Sequence, residues 1–143
     1  MSSVPYIPAG YRTVTPYLTV KGVAGLIEFL KTTFDATEKE VLRRADGSVH
    51  HAEMQIGDSI VMMGEPTGEW KPAGASLYVY VPDTDATYQR ALAAGATSLR
   101  EPVDQFYGDR SGGVQDAWGI SWWLATHRED VSTAEIEKRA AQR

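Results

Sequence analysis

Apolar and polar positions along this chain follow one pattern that occurs twice. Residues 15–63 predict a strand, a helix and then three strands, and residues 76–126 predict the same order again. In the first half, Val23, Leu26, Ile27, Leu30 and Phe34 recur at helical spacing and define one apolar face. A repeated strand–helix–three-strand unit predicts one architecture built from two similar halves, with a ligand cavity where their sheets meet.

Turn and capping residues set the boundaries of the predicted elements. Asp46-Gly47 and Gly57-Asp58 predict tight turns between strands 37–43, 49–56 and 59–63. In the second half, Asp83 is a predicted helix N-cap, and Gly95 closes that helix. The sequence predicts an irregular arm over 1–11, a single two-module domain over 12–127, and a C-terminal helical extension over 128–143. A capping box at 132–135 marks the start of the helix in this extension. Within the domain, module one covers about 12–65, the linker 66–75 and module two about 76–127.

The linker also contains Trp70, for which two interpretations are open. Trp70 packs the loop onto the surface, or the loop is a lid over the cavity.

Strand alternation assigns the side chains to two faces of each predicted sheet. The face expected to pack on the helices contains Val14, Pro16, Leu18, Val20, Ala52, Met54, Ile56, Leu77, Val79 and Val81. The opposite face is polar and aromatic in both halves, and contains Thr13, Thr15, Tyr17, Thr19, His51, Glu53, Gln55, Ser76, Tyr78, Tyr80 and Trp123. Because the pattern recurs in both halves, we expect a lined pocket for a small organic ligand rather than an ordinary solvated sheet face.

Composition narrows the function classes. The 143 residues, of which 43% are hydrophobic, are enough for one domain with a sizeable core. The net charge is −5 and the basic residues are scattered, so we expect no nucleic-acid partner. The absence of cysteine excludes disulfides and a cysteine nucleophile, and it fits a reducing cytoplasm. No run reaches membrane-spanning length, so we expect a cytoplasmic protein without a membrane partner.

Candidate chemistry lies in two segments. His51 and Glu53 share a strand face, where they could bind one metal ion or simply hydrogen-bond to each other. Glu53 is also a candidate general base, with Tyr17 or Tyr78 donating to an enolate oxygen, and a raised carboxylate pKa is plausible there. In the segment 104–113, Tyr107 is a further ligand-binding candidate. Arg110 could bind a ligand carboxylate or phosphate, or pair with Asp109 or Asp116 to hold the turn.

Several motifs together resemble the vicinal-oxygen-chelate superfamily, the glyoxalase, bleomycin-resistance and dioxygenase group, and most closely its PhnB-like branch. The resemblance is carried by residues 14–18, 27–30, 51–53, 56–59, 104–112, 116–119 and 125–127. It implies an α+β fold in which two βαβββ modules form a cupped mixed sheet with a central cavity, and it implies a homodimer. The short C-terminal helix is additional to this fold.

The resemblance also implies where a metal ion would bind. Metal-dependent members use side chains of the first and last strands of each module, and these positions fall near Thr15, Ser76 and Trp123, and at Glu65. Only Glu65 is a suitable ligand, and one carboxylate does not hold a catalytic metal. We therefore expect no metal and no other cofactor.

Two functional hypotheses follow from the sequence. The first is a glyoxalase- or bleomycin-resistance-like protein that binds a planar or aromatic small molecule without the usual metal. Its expected ligand-binding residues are Tyr17, His51, Glu53, Tyr78, Tyr80, Tyr107, Arg110 and Trp123. The alternative is a lyase, isomerase or dioxygenase-type enzyme that uses an atypical metal site or Glu53 acid–base chemistry. The sequence leaves open whether the protein is an enzyme.

Overall fold

The computed structural model describes residues 4–68 and 71–143, which form two compact units that divide between Ala73 and Gly74. Each unit contains a four-stranded mixed sheet with one helix packed on it. The predicted α+β class with two βαβββ modules and a short C-terminal helix is confirmed. Trp70, the residue of the predicted lid, lies outside the described residues.

The first unit contains a short strand, a helix and three further strands. Their bounds are β1 (Tyr17–Thr19), α1 (Val23–Phe34), β2 (Thr37–Arg43), β3 (Val49–Ile56) and β4 (Ser59–Gly64). The strand order is β1-β4-β3-β2, with β1 parallel to β4 and the other neighbours antiparallel. This order places β1 beside the last strand of its module, so that two edge strands flank a central antiparallel pair.

The core of the first unit lies between α1 and one face of its sheet. Leu26 and Leu30 of α1 are fully buried, as are Ala52 and Met54 of β3. Val14 was expected on this face, and that expectation is wrong: Val14 precedes β1 and is 81% exposed. The strand pairing begins only at Tyr17, so alternation cannot be extended back to residue 14.

The second unit repeats the arrangement and adds a helix. Its elements are β5 (Ala75–Tyr80), α2 (Thr84–Ala93), β6 (Thr97–Asp104), β7 (Asp109–Gln115), β8 (Ile120–His127) and α3 (Thr133–Ala141). The strand order is β5-β8-β7-β6, with β5 parallel to β8. Asp83 caps α2 by accepting from the Ala86 backbone N–H, and the Ser132 hydroxyl caps α3 by accepting from the Glu135 N–H.

Trp122 and Leu124 of β8 are fully buried on the face that packs against α2. Alternation therefore turns their neighbour Trp123 to the opposite face of the sheet, where the candidate site lies. Within the described ranges, no helix is long and apolar enough to span a membrane.

Candidate functional site

Strand pairing in the second unit brings the predicted aromatic residues into adjacent rows. Tyr78 of β5 pairs with Trp123 of β8, which pairs with Gly113 of β7. In the next row, Tyr80 pairs with Ala125. Because residues directly opposite on neighbouring strands share a face, Tyr78, Tyr80 and Trp123 lie on one face of this sheet. Tyr78 is 45% and Tyr80 63% exposed, so both rings are accessible.

A buried carboxylate fixes the orientation of these tyrosines. The Tyr78 hydroxyl donates to Asp109 Oδ2 at 2.8 Å, and the Tyr80 hydroxyl donates to the same oxygen at 3.0 Å. His127 Nδ1 lies 2.8 Å from the other carboxylate oxygen, and its Nε2 lies 2.7 Å from Asp130. Asp109 itself is only 4% exposed. The tyrosine rings are therefore held in place while their faces stay open to solvent.

The pKa shifts in this cluster follow from the shared charge of Asp109. Burial acts to raise the pKa of Asp109, but hydrogen bonds from His127, Tyr78 and Tyr80 outweigh it and lower the pKa below its usual value. The hydrogen bond to Asp109 raises the pKa of Tyr80, and the hydrogen bonds to Asp109 and Asp130 raise the pKa of His127. Burial, together with the hydrogen bond to Asp109, raises the pKa of Tyr78. At neutral pH the phenols stay protonated and Asp109 stays ionised.

Directed hydrogen bonds leave the tyrosine oxygens as acceptors. An ionised carboxylate only accepts, so the hydroxyl protons of Tyr78 and Tyr80 are committed to Asp109. The Tyr107 hydroxyl lies 3.4 Å from the Tyr78 oxygen and is the donor of that pair. The sequence-based role of Tyr78 as donor to an enolate oxygen is therefore wrong for this geometry, because its proton is already used.

Trp123 lies flat against the sheet because its row contains a glycine. A Cβ at Gly113 would overlap the six-membered ring of Trp123, so only a residue without a side chain permits this position. The indole N–H of Trp123 donates to the Ser76 hydroxyl at 3.0 Å. The Arg100 guanidinium lies over the ring, 5.1 Å from its centroid, and donates to the Ser111 hydroxyl at 2.9 Å.

Arg110 has a different role from the one expected of a ligand-binding residue. Its guanidinium makes two hydrogen bonds to Asp85 of α2, at 2.7 and 2.9 Å, and one to Asp104 at 3.3 Å. The predicted pairing with Asp109 or Asp116 is wrong, since Arg110 bonds to Asp85 and Asp104 instead, and Asp116 accepts from the Trp122 indole. Arg110 thus ties α2 to the sheet, on the face opposite Tyr78 and Tyr80.

In the first unit, the predicted residues form a linear hydrogen-bonded chain. His51 Nε2 lies 2.9 Å from Glu53 Oε2, and His51 Nδ1 lies 3.2 Å from the Tyr17 hydroxyl. Tyr11 donates to the second oxygen of Glu53. Because Glu53 can only accept, neutral His51 carries its proton on Nε2 and accepts the Tyr17 proton at Nδ1. Tyr17, 54% exposed, is the end of this chain that reaches solvent.

The electrostatics of Glu53 differ from the sequence-based expectation. Burial acts to raise the pKa of Glu53, but the hydrogen bonds from His51 and Tyr11 outweigh it, so the pKa is lowered. The same contact raises the pKa of Tyr11 to about 12. The expected raised pKa of Glu53 is therefore wrong. A carboxylate with a lowered pKa is a weaker general base, and Tyr17, whose proton points to His51, is not positioned as an oxyanion donor.

The positions that a family metal would use do not fit a metal ion. Glu65 accepts hydrogen bonds from the backbone N–H groups of Gly22 and Val23, at 3.0 and 2.6 Å, and so caps α1. Ser76 and Trp123 are hydrogen-bonded to each other, and an indole N–H only donates. Within residues 4–68 and 71–143, no group of three or more acidic, histidine or cysteine side chains is placed to hold an ion.

Sequence reasoning missed four residues of these clusters: Tyr11, Arg100, Asp109 and His127. Tyr11 lies in the arm, which has no hydrophobic periodicity. Asp109 begins a glycine-containing strand, and this strand has no apolar alternation that would indicate which face Asp109 lies on.

Beside Asp109 lies a cleft of about 280 Å³, lined by Asp104, Gln105, Gly108, Asp109, Arg128 and Glu129. The buried carboxylate therefore borders open space at the end of the β6–β7 hairpin.

Comparison with known proteins identifies the class of this fold. The family model of the glyoxalase/bleomycin resistance protein/dioxygenase superfamily matches residues 12–124. The chain therefore belongs to this superfamily.

Individual proteins and solved structures are similar to this chain. The uncharacterised protein Mb0911c of Mycobacterium bovis is 33% identical over 135 residues, which cover 87% of this chain and 89% of that protein. Among solved structures, TioX from Micromonospora sp. ML1 is 27% identical with a TM-score of 0.66, over 82% of this chain and 98% of TioX. The fosfomycin resistance protein FosX from Mesorhizobium loti shares the fold, at 19% identity and a TM-score of 0.57, over 87% and 94% of the two chains.

Proposed function

We propose that this protein binds a planar, aromatic small molecule on the exposed aromatic face of its second unit, without a metal ion. The observation that carries the proposal is the fixed orientation of Tyr78 and Tyr80. Both rings are exposed, yet both hydroxyls are anchored on the buried carboxylate of Asp109. A tyrosine on an ordinary solvated face has no need of a buried partner, and a buried carboxylate costs free energy unless its hydrogen bonds are satisfied.

Preorganisation is the physical advantage of this arrangement. The two rings contact each other edge to face, with centroids 5.4 Å apart, and Trp123 is held flat on Gly113 in the same row as Tyr78. Ordering a side chain on binding costs about 0.5–1.5 kcal/mol, and rings that are already ordered avoid most of that cost. Membership of the superfamily supports the proposal, because the superfamily includes bleomycin resistance proteins as well as dioxygenases.

The donor set supports binding without a metal. Three of the four positions that the resemblance assigns to a ligand have another structural function: Glu65 caps a helix, and Ser76 and Trp123 pair with each other. The alternative metal site, made by His51 and Glu53, would supply only two ligands. Glu53 already accepts a hydrogen bond from Tyr11.

Calorimetric titration with naphthamide, a neutral planar probe, tests the proposal. Tyr80→Ala removes one exposed ring, and we expect the dissociation constant to increase about fivefold, which corresponds to about 1 kcal/mol for an aromatic contact. Tyr6→Ala is the matched control, because Tyr6 is a 94% exposed tyrosine of the first unit. Equal affinity of the two variants and the wild type for naphthamide would show that the aromatic face does not bind the probe.

A second candidate function is an enzyme that uses the Tyr17–His51–Glu53 chain. The observation that favours it is the alignment of a carboxylate, an imidazole and an exposed hydroxyl, in which Glu53 orients His51 toward Tyr17. Here His51, rather than Glu53, would move the proton. Deuterium exchange from solvent at the carbon beside the carbonyl of small ketones tests this function. Loss of the exchange in His51→Gln would support it, and the absence of exchange in the wild type would exclude enolisation.

Three further proposals rest on the sequence. We place the chain in the PhnB-like branch on the motif over residues 104–112, and we expect a homodimer from the superfamily resemblance. The absence of cysteine is the basis for placing it in the cytoplasm. Light scattering of the untagged protein tests the oligomeric state, and a monomer at all concentrations would contradict it.

A further inference from the structure

Arg100 is a cation held on the aromatic face without a carboxylate partner. Its guanidinium lies over Trp123 and makes one hydrogen bond, to the neutral hydroxyl of Ser111. The arginines at positions 12, 110 and 139 each form an ion pair with a carboxylate within 4 Å. Among residues 4–68 and 71–143, no carboxylate lies within that distance of Arg100.

The position of Arg100 is determined by the side chains beneath it. Gly113 allows Trp123 to lie flat, the flat ring faces the guanidinium, and Ser111 two residues along β7 fixes one N–H. A guanidinium has five N–H donors, so most of its donors remain available after the bond to Ser111. The geometry therefore holds a fork of donors over Trp123, which pairs with Tyr78 in the same row of the sheet.

The neighbouring groups cannot take the place of Arg100 toward an anion. The hydroxyl protons of Tyr78 and Tyr80 are committed to Asp109, and the Trp123 N–H is committed to Ser76. Asp109 would repel an anion, but its carboxylate is 4% exposed and accepts from Tyr78, Tyr80 and His127. Among the described residues of this face, Arg100 is thus the cation without a carboxylate partner that an anionic ligand group would meet.

We propose that Arg100 binds the anionic group of the ligand, and that the ligand class is a planar aromatic acid, either a carboxylate or a phosphate. This inference rests on the proposed function, since the ring of the acid would stack on the tyrosines. A guanidinium matches both anions with parallel N–H donors and adds a charge-assisted interaction that a neutral planar molecule does not receive. The sequence suggested Arg110 for the anion-binding role, but the donors of Arg110 face Asp85 and Asp104. We therefore assign that role to Arg100.

The experiment compares three probes that share one ring system: naphthoate, naphthyl phosphate and neutral naphthamide. Affinities are measured by calorimetry for the wild type, Arg100→Gln and Arg100→Lys. We expect the wild type to prefer at least one anion over naphthamide by about tenfold or more. The Gln variant should lose that preference and keep its affinity for naphthamide. The Lys variant, which keeps the charge but lacks the fork, should retain part of the preference.

Arg43→Gln is the matched control, because it removes an exposed arginine of the first unit whose guanidinium donates to the backbone carbonyl of Gly47. Preference for naphthoate alone or for naphthyl phosphate alone identifies which acid is bound. Equal affinity for all three probes, or an anion preference that survives in Arg100→Gln, overturns the inference and leaves the proposed function standing. Failure of every probe to bind the wild type rejects the proposed function and the inference together.

Discussion

Replacing Asp109 by Asn is the most informative perturbation of the tyrosine cluster. Asn has the same size and keeps one carbonyl acceptor, but it removes the charge that Tyr78, Tyr80 and His127 share. Hydrogen bonds to a charged group contribute about 1.5–3 kcal/mol each. These three partners are about half exposed, so they regain water when the carboxylate is lost. We therefore expect the free energy of unfolding to fall by about 1–2 kcal/mol rather than by the full sum.

The assay is urea unfolding at neutral pH, followed by tryptophan fluorescence. We expect the Asp109→Asn midpoint to fall with an unchanged dependence of free energy on urea, which indicates a loss of stability rather than an altered unfolded state. Asp104→Asn is the control, because Asp104 is an exposed carboxylate on the same hairpin, and its change should stay within about 0.5 kcal/mol. A midpoint of Asp109→Asn equal to that of the control would refute the reasoning.

The pH dependence provides a second test of the same cluster. The pKa of Asp109 is lowered in the folded protein, so its stabilisation is complete above the unfolded value of about 3.9 and is lost as pH falls through the folded pKa. The pKa of His127 is raised, so its contribution is complete below about 6.5 and is lost as pH rises through the folded pKa. The difference between wild type and Asp109→Asn should therefore narrow in acid, and a constant difference would contradict the assigned charge.

Three further substitutions test separate parts of the structure by the same unfolding assay. Glu65→Ala removes the cap of α1 and should cost about 1 kcal/mol, whereas Glu137→Ala on an exposed helix face should cost little; equal losses would deny the capping role. Gly113→Ala forces the indole from its position and should cost about 1–3 kcal/mol and shift the fluorescence, while Gly68→Ala, which meets open space, should do neither. Arg110→Gln should lower the unfolding midpoint slightly without changing the affinity for naphthoate, and a large loss of affinity would restore the original ligand-binding interpretation.

Local signals predicted most of the fold. The α1 face, the Asp83 cap and the Ser132 cap depend on residues within a few positions of each other, and all three agree with the structure. Val14 was assigned wrongly because a strand pattern does not show where pairing begins. The repeat of the strand order needed no long-range information beyond the recurring pattern itself.

The sites were harder to predict because they depend on partners distant in sequence. The pairing of Arg110 with Asp85 joins a strand to a helix, and the pairing of Tyr80 with Asp109 joins β5 to β7 across β8. Sequence reasoning recognised the aromatic face but could not know which hydroxyl protons were committed. That commitment decides whether a tyrosine donates or accepts, and it reverses the chemistry first expected of Tyr78.

The most direct test of the account is calorimetric titration of untagged protein with naphthoate, after extensive treatment with a chelator and again with added Zn²⁺, Ni²⁺, Fe²⁺ or Mn²⁺. A tag-free protein is required because a histidine tag would itself bind these ions. We expect stoichiometric binding of naphthoate with the same dissociation constant in every condition. Binding that disappears with the chelator and returns with one ion would contradict the account.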